Sequence, residues 1–416
     1  MSRIRKKKKP NSKQLEAEKR NHFLRHIKHI FIESGCGQVY RVLTPRVMQA
    51  LYTIKDSSLK IRPGYCPCLS NSEIRHLKQL IDKEAQHTQV TIKNSGYTMS
   101  MKVFYTYGLS LYSLQGWFAE QEGPEMQEAY SIMKERLDII QAETDFRSRL
   151  LAFCSTFSMI ASELNKFQVH VKPKIITETS GRVKGLEFEI NAYPCEQKKF
   201  RIDGHTRPAF RVGSYAYYKV YPEWILVKRS SFEKPTPFNN IEIPVYIQMH
   251  ALNRLSERID TLSRDCVELY VYLSFQNPVI TFFRGKILVD YVYAQTKLGY
   301  LLVEIVDNVL LIKTFLLLTN QATPEGEKLK ALTGLSKIDM QYWNIDRLST
   351  FQKTDIEENE ELKLIFSTAG CGKLFSKAVN FLEDEDKEHK HIAENILKYC
   401  LKEEDEPGSP SNGAIL

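Results

Sequence analysis

Regularly spaced cysteine is missing from this chain. Its eight cysteines are scattered through 416 residues, which excludes the disulfide framework of a small secreted domain and points to a reducing compartment. A long uncharged apolar run is missing too. The most apolar stretch, residues 300–319, carries Glu304, Asp307 and Lys313 near its middle, each costly in hydrocarbon, so it reads as two strands and no membrane partner is expected. The one apolar candidate near the start, residues 23–31, is interrupted by Arg25, His26, Lys28 and His29. No export signal is therefore read, and the expected location is cytoplasmic. No repeat of about 20 to 50 residues stands out. There is no Gly-x-Gly-x2-Gly, nucleophile elbow or His-Glu-x2-His. Gly370-Cys371-Gly372-Lys373 fails as a phosphate loop, because Ser367 stands where the first glycine is required and Leu374 replaces the hydroxyl that would reach magnesium.

What is present is an ordinary globular composition, 43% hydrophobic and 26% charged, in a chain long enough for two or three cores. The net charge of +8 is modest but unevenly placed. Arg3, Arg5, Lys6, Lys7, Lys8 and Lys9 open the chain, and acidic clusters at 383–386 and 403–406 lie near its end. The head reads as an arm facing nucleic acid, or simply a solvated terminus; the tail reads as a solubilising end.

The hydrophobic pattern predicts an α+β protein in six segments. Residues 1–12 form a basic arm and 13–165 a helical domain, in which the segment before Gly35 and the one after Ser70 carry stop and capping signals. Residues 166–238 alternate β-branched and aromatic residues, predicting an antiparallel β region that ends at Lys234-Pro235-Thr236-Pro237. Residues 239–325 read as an α+β unit. It has a short strand, a helix from His250, a helix around 266–275, and strands at Ile280-Thr281-Phe282-Phe283, residues 285–296, residues 299–306 and residues 309–319, with Asp307-Asn308 as a two-residue hairpin loop. Helices fill 326–402, and 403–416 form the acidic tail.

Chemistry concentrates at His250-Ala251-Leu252-Asn253-Arg254-Leu255-Ser256-Glu257-Arg258. On a helix, His250, Arg254, Glu257 and Arg258 share an arc of about 100°, while Leu252, Leu255 and Ile259 face the other way. An imidazole one turn from a guanidinium, with a second guanidinium beyond, is a way to hold a phosphodiester beside a general acid or base. The plainer reading of the same string is an amphipathic helix with Arg254 paired to Glu257 or Arg258.

The order of elements, with a His-x3-Arg-x2-Glu-Arg helix after a strand and an apolar meander ending in Thr314-Phe315, resembles the RelE/ParE-type toxin superfamily over about residues 240–320. The resemblance implies a toxin-like β-α-α-β-β-β unit and, for several members, metal-independent cleavage of RNA, often on the ribosome, without cofactor. It would make His250 the acid or base, Arg254 and Arg258 the stabilisers of charge on the phosphorane, and Glu257 the group that orients an arginine. Arg284, Lys286 and Lys313 are weaker candidates for phosphate contact. The chain is far longer than a free-standing toxin of this kind, and a toxin fold can persist as a platform. The two readings are thus a nucleic-acid-associated endoribonuclease of a phage, mobile element or bacterial defence system, and a non-catalytic structural or interaction protein that docks RNA, a ribosome or a protein partner.

Other constellations are weaker. Cys66 and Cys68, with Cys36, His76 or His87, would need an unusual spacing to hold zinc, and no metal is expected. His22, His26 and His29 share a helix face but sit among Arg25 and Lys28; they and His389/His391 read as solvated faces. Arg207, Phe210, Arg211, Tyr215, Tyr217, Tyr218, Lys219, Tyr221 and Trp224 mix rings with cations, as a single-strand platform does and as many ordinary strands do.

Overall fold

The computed structural model describes residues 12–54, 60–92, 95–137, 142–177, 183–202, 204–215, 221–233, 240–376 and 392–401. The Lys6–Lys9 arm, the corner at 234–237, Tyr217, Tyr218, Lys219, His389, His391 and both acidic clusters lie outside them. The chain is α+β. It separates into two compact units, one of Met1–Ala161 with Val169–Tyr193, the other of Ser162–Gln168 with Pro194–Leu416.

The first unit is mainly helical, with helices Ser12–Glu33, Gly37–Arg41, Pro45–Ile54, Asn71–His87, Met101–Ala119, Pro124–Arg136 and Ala142–Ala161. Local chemistry sets several ends. Gly35 adopts φ +77° just past the first helix, a backbone shape that glycine takes without strain. Ser70 caps the Asn71–His87 helix reciprocally with Glu73, whose backbone N–H donates to Ser70 Oγ at 3.3 Å while the Ser70 N–H donates to Glu73 Oε2 at 2.8 Å. The region read as helical also holds strands. Gln89–Thr91 and Thr98–Ser100 form a small antiparallel pair, and Lys60–Pro63 runs parallel to Val183–Pro194, with Phe167–Thr177 on the far side of that strand. Segments of three or four residues are too short for period to announce them.

The second unit is built on one eight-stranded sheet. Its order is Ile280–Phe283, Lys286–Tyr293, Thr296–Val306, Val309–Leu317, Glu242–Gln248, His205–Arg211 and Gln197–Ile202, with Leu226–Lys228 also paired to Glu242–Gln248. Neighbours are antiparallel except Glu242–Gln248 and Val309–Leu317, which run parallel with Val245 beside Leu310. The strands on either side of residue 238 share this sheet, Tyr246 pairing with Arg211 and Ile247 with Phe210. A division drawn there from the Pro-containing corner therefore falls inside a single hydrogen-bonded layer.

Side-chain alternation assigns the two faces. Leu252, Leu255, Ile259, Val267 and Val271, from helices Met249–Arg258 and Arg264–Ser274, share a core with Val245, Ile247, Leu310 and Ile312. Tyr246, Leu311, Val309, Phe200 and Ala209 form a separate cluster on the opposite face. At the meander, buried Tyr291 donates to the Val267 carbonyl at 3.1 Å, so its neighbour Asp290 points away from that helix. Asp290 sits opposite Tyr300, whose hydroxyl lies 3.0 Å from Glu325 of the helix Pro324–Thr333. The helix Pro324–Thr333 thus meets the meander on the side away from the His250 helix. Ser162–Gln168 is tied into this unit by Glu268, 6% exposed, which accepts from the Leu164 N–H at 2.6 Å and Arg264 Nε at 2.7 Å.

The meander turns three times on two residues, at Arg284-Gly285 (φ +48° and +71°), Ala294-Gln295 (+44°, +66°) and Asp307-Asn308 (+48°, +59°). Paired positive φ values match the right-handed twist of the flanking strands. The Asp307-Asn308 turn lies where its residue types place it. Ala294-Gln295 carries no turn signal, and the single strand expected over 285–296 is in fact Lys286–Tyr293 followed by this turn.

Candidate phosphate-binding face

Residue 250 sits one position into the helix Met249–Arg258, which begins where Glu242–Gln248 leaves the sheet. The helix lays Ala251, Leu252 and Leu255 into the core, each leucine contributing roughly 2 kcal/mol by burial. That anchoring turns His250, Asn253 and Glu257 outward, with Arg254 and Arg258 half-buried.

The four polar residues of the arc then have different fates. His250 is exposed and makes no hydrogen bond or ion pair among the described residues. Its imidazole is held below the ordinary histidine range first by partial desolvation of the ring, then by the positive charges of Arg254 and Arg207, with Glu257 pulling the other way. Arg254 Nη1 donates to Glu257 Oε2 at 2.9 Å, a pair with about half its surface in water (41% and 50%). Arg258 is engaged elsewhere. Its guanidinium pairs with the Asp346 carboxylate, the two side chains only 16% and 11% exposed, and also reaches the Asp346 carbonyl at 3.3 Å. Its own carbonyl accepts from the Leu348 N–H at 2.8 Å. Arg258 is a strut between the His250 helix and the C-terminal segment.

A residue outside the motif takes its place. Arg207, exposed on His205–Arg211 two strands from the meander, is close enough for its charge to act on His250, and it has no partner among the described residues. In the sequence it belongs to an aromatic and basic mixture, and only strand pairing brings it to the helix start. Phe210 and Arg211 of that mixture are not open to a base. Phe210 is buried, and Arg211 lies over the Trp224 ring at 5.5 Å with Nη1 3.1 Å from Glu196.

Sheet topology separates the remaining candidates. Glu242–Gln248 delivers His250 at the end where Val309–Leu317 finishes, because the two strands are parallel. The Arg284-Gly285 turn lies at the other end, near Val303 and Val306, and its strands begin three neighbours away from Glu242–Gln248. At about 4.8 Å per strand this is more than 14 Å across the sheet before the length is counted. Arg284 is engaged by Glu327 and lies over the Phe283 ring at 5.6 Å, while Lys286 is exposed. Lys313 donates to Glu304 at 2.8 Å. Glu304 stands opposite Leu311, on the face away from the His250 helix. Arg284 and Lys286 therefore share no site with His250, and Lys313 is engaged by Glu304.

The thiol candidates are occupied with backbone. Cys66 Sγ lies 3.1 Å from the Ile190 carbonyl and Cys68 Sγ 3.7 Å from that of Ala192, and burial pushes both thiols up. Cys36 is sealed in the helical core, and His87 Nδ1 contacts the Lys83 carbonyl at 2.7 Å. Among the described residues no three histidine, cysteine or carboxylate groups are placed to hold a metal ion. Gly370 ends the helix Glu360–Ala369 at φ +94°, Cys371 is buried, and Gly372–Phe375 is a short 3-10 turn; the stretch closes a helix. No helix among the described residues is long and apolar enough to cross a membrane. No protein-family model, curated protein or solved structure matches the chain.

Proposed function

We propose that this protein binds RNA or another nucleic acid through a phosphate-binding face made of Arg207, His250 and Arg254, in a second unit that serves as a docking platform. The observation that carries the reading is an exposed imidazole, without hydrogen bond or ion pair among the described residues, one helical turn from Arg254 and at the end of the strand that pairs with the strand of Arg207. A guanidinium pair favours phosphate oxygens, and a neutral histidine beside them adds a donor without further charge repulsion. The strand, helix pair and meander over residues 242–317 support a RelE/ParE-like reading of this segment, with the first strand parallel to the last.

The catalytic form of that reading loses one of its parts, since Arg258 is committed to Asp346. What favours it as a second reading is the lowered affinity of His250 for protons, which leaves the imidazole ready to accept one at neutral pH. Binding of labelled RNA by anisotropy, over a salt series, tests the platform. Arg207→Glu and Arg254→Glu should each weaken binding and reduce the slope of log K against log salt by about one. Unchanged binding in both variants refutes the assignment. A gel assay with chelator separates the two readings: fragments that vanish with His250→Ala establish cleavage, and intact RNA with binding retained establishes the platform.

A further inference from the structure

The first unit carries a second feature, unrelated to the sheet. A groove of about 590 Å³ runs between the helices Ser12–Glu33 and Met101–Ala119, lined by Leu15, Glu18, Lys19, His22, Phe23, Arg25, Thr106 and Tyr107. Leu15, Lys19, His22 and Phe23 follow the one-turn spacing of a helix stripe. In an otherwise charged segment this stripe places Leu15 at the surface, 44% exposed, beside Phe23 (1%) and Tyr107 (7%). The floor is aromatic beneath: Phe23 lies 5.4 Å from Tyr107, and His26 stacks on Tyr107 at 5.0 Å while touching His22 at 4.6 Å.

The rim has a chemical bias. Lys19 has no partner among the described residues, and Arg25 makes a single 3.3 Å contact to the Asn21 carbonyl. Glu18 is the one carboxylate among the lining residues. Two other charges on this helix are occupied, Glu16 by the Tyr52 hydroxyl at 2.7 Å and Arg20 by Gln49 at 3.3 Å. An apolar floor fits the flat face of a ring, and free cations at one edge fit an anion fixed to that ring. The volume falls in the range of small-ligand sites.

We infer that this groove is a nucleotide site, with the base covering Leu15 above the packed Phe23 and Tyr107 pair and the phosphate held by Lys19, His22 and Arg25. The inference deepens the proposed nucleic-acid association, since a groove open along its length would take one unit of a single strand as readily as a free nucleotide.

The test uses the full chain with adenosine monophosphate, followed by calorimetry, and a 4-thiouridine-containing oligonucleotide, crosslinked and mapped by mass spectrometry. Adenosine monophosphate should bind, and the crosslink should fall on residues 12–33 or 101–119. Lys19→Glu and Arg25→Glu, both at exposed positions, should each weaken nucleotide affinity about tenfold, the effect of one charge-assisted hydrogen bond, with unchanged circular dichroism. Absence of nucleotide binding at millimolar concentration overturns the inference. So does equal binding of an apolar anilinonaphthalene sulfonate and inorganic phosphate with no preference for the nucleotide, which would mark a non-selective anion groove. Nucleotide bound here with no oligonucleotide captured refutes the nucleic-acid reading alone. Oligonucleotide binding that responds only to Arg207→Glu refutes the groove alone.

Discussion

A guanidinium that already holds a carboxylate away from water does not also serve a phosphate. This decides between the two arginines of the His250 helix, which the helical arc treats alike. Replacing Arg258 by alanine strands the Asp346 carboxylate, and the expected loss is about 3 kcal/mol, toward the low end for a buried pair because both groups keep some water. Arg254→Ala removes an exposed pair and should cost under about 1 kcal/mol, while weakening RNA binding. Urea denaturation beside RNA anisotropy checks the split; an Arg258→Ala protein that is fully stable but binding-defective would reverse the assignment. Glu268 gives a second residue-scale expectation. It satisfies the Leu164 N–H and Arg264 in a nearly sealed position, so Glu268→Ala should destabilise by about 1–3 kcal/mol through the orphaned donor. A midpoint equal to that of the parent would show that water takes over the bond.

At the scale of elements, the meander depends on backbone shape more than on side-chain identity. A Cβ at Gly299 would run into the Leu316 carbonyl oxygen and the Phe315 ring, beside the irregular pairing at Tyr291 and Val292. Gly285 faces open space and needs only its positive φ. Gly285→Ala should therefore cost about 1 kcal/mol and Gly299→Ala clearly more, about 2–3 kcal/mol, from overpacking. Thermal melts of the two variants give the order directly, and an equal loss would mean that the strand relaxes. The elements themselves were legible to different degrees. The two helices after residue 248 and the Asp307-Asn308 turn were written in apolar spacing and turn chemistry. The Ala294-Gln295 turn was not, since alanine and glutamine adopt positive φ there only because strand pairing on both sides demands it.

Across the whole molecule, partial desolvation of three histidines makes the fold sensitive to acid. His170 and His26 in the first unit and His250 in the second are all held below the ordinary histidine range. Desolvation leads in each case, followed by nearby charge: Lys172 for His170; His22, His29 and Arg25 for His26; Arg254 and Arg207 for His250. In the unfolded chain these groups take up protons near pH 6.5. The folded state does so only at lower pH, so the unfolded state binds more protons in between and stability falls as pH drops through that window. Their contribution is intact above about pH 6.5. His170→Gln should flatten this acid-side loss in urea titrations at several pH values; an unaltered slope would place the titration elsewhere. Local period and burial preference suffice to give the α+β class, the amphipathic phase of the His250 helix and the identity of its outward groups. That the strand of Arg207 pairs next to the one leading into His250, that Arg258 belongs to Asp346, and that Arg284 and Lys286 lie at the opposite end of the sheet all come from long-range pairing. Those outcomes rest on strand order and on one parallel pairing between segments some sixty residues apart, and no local pattern in the chain encodes which strands will be neighbours.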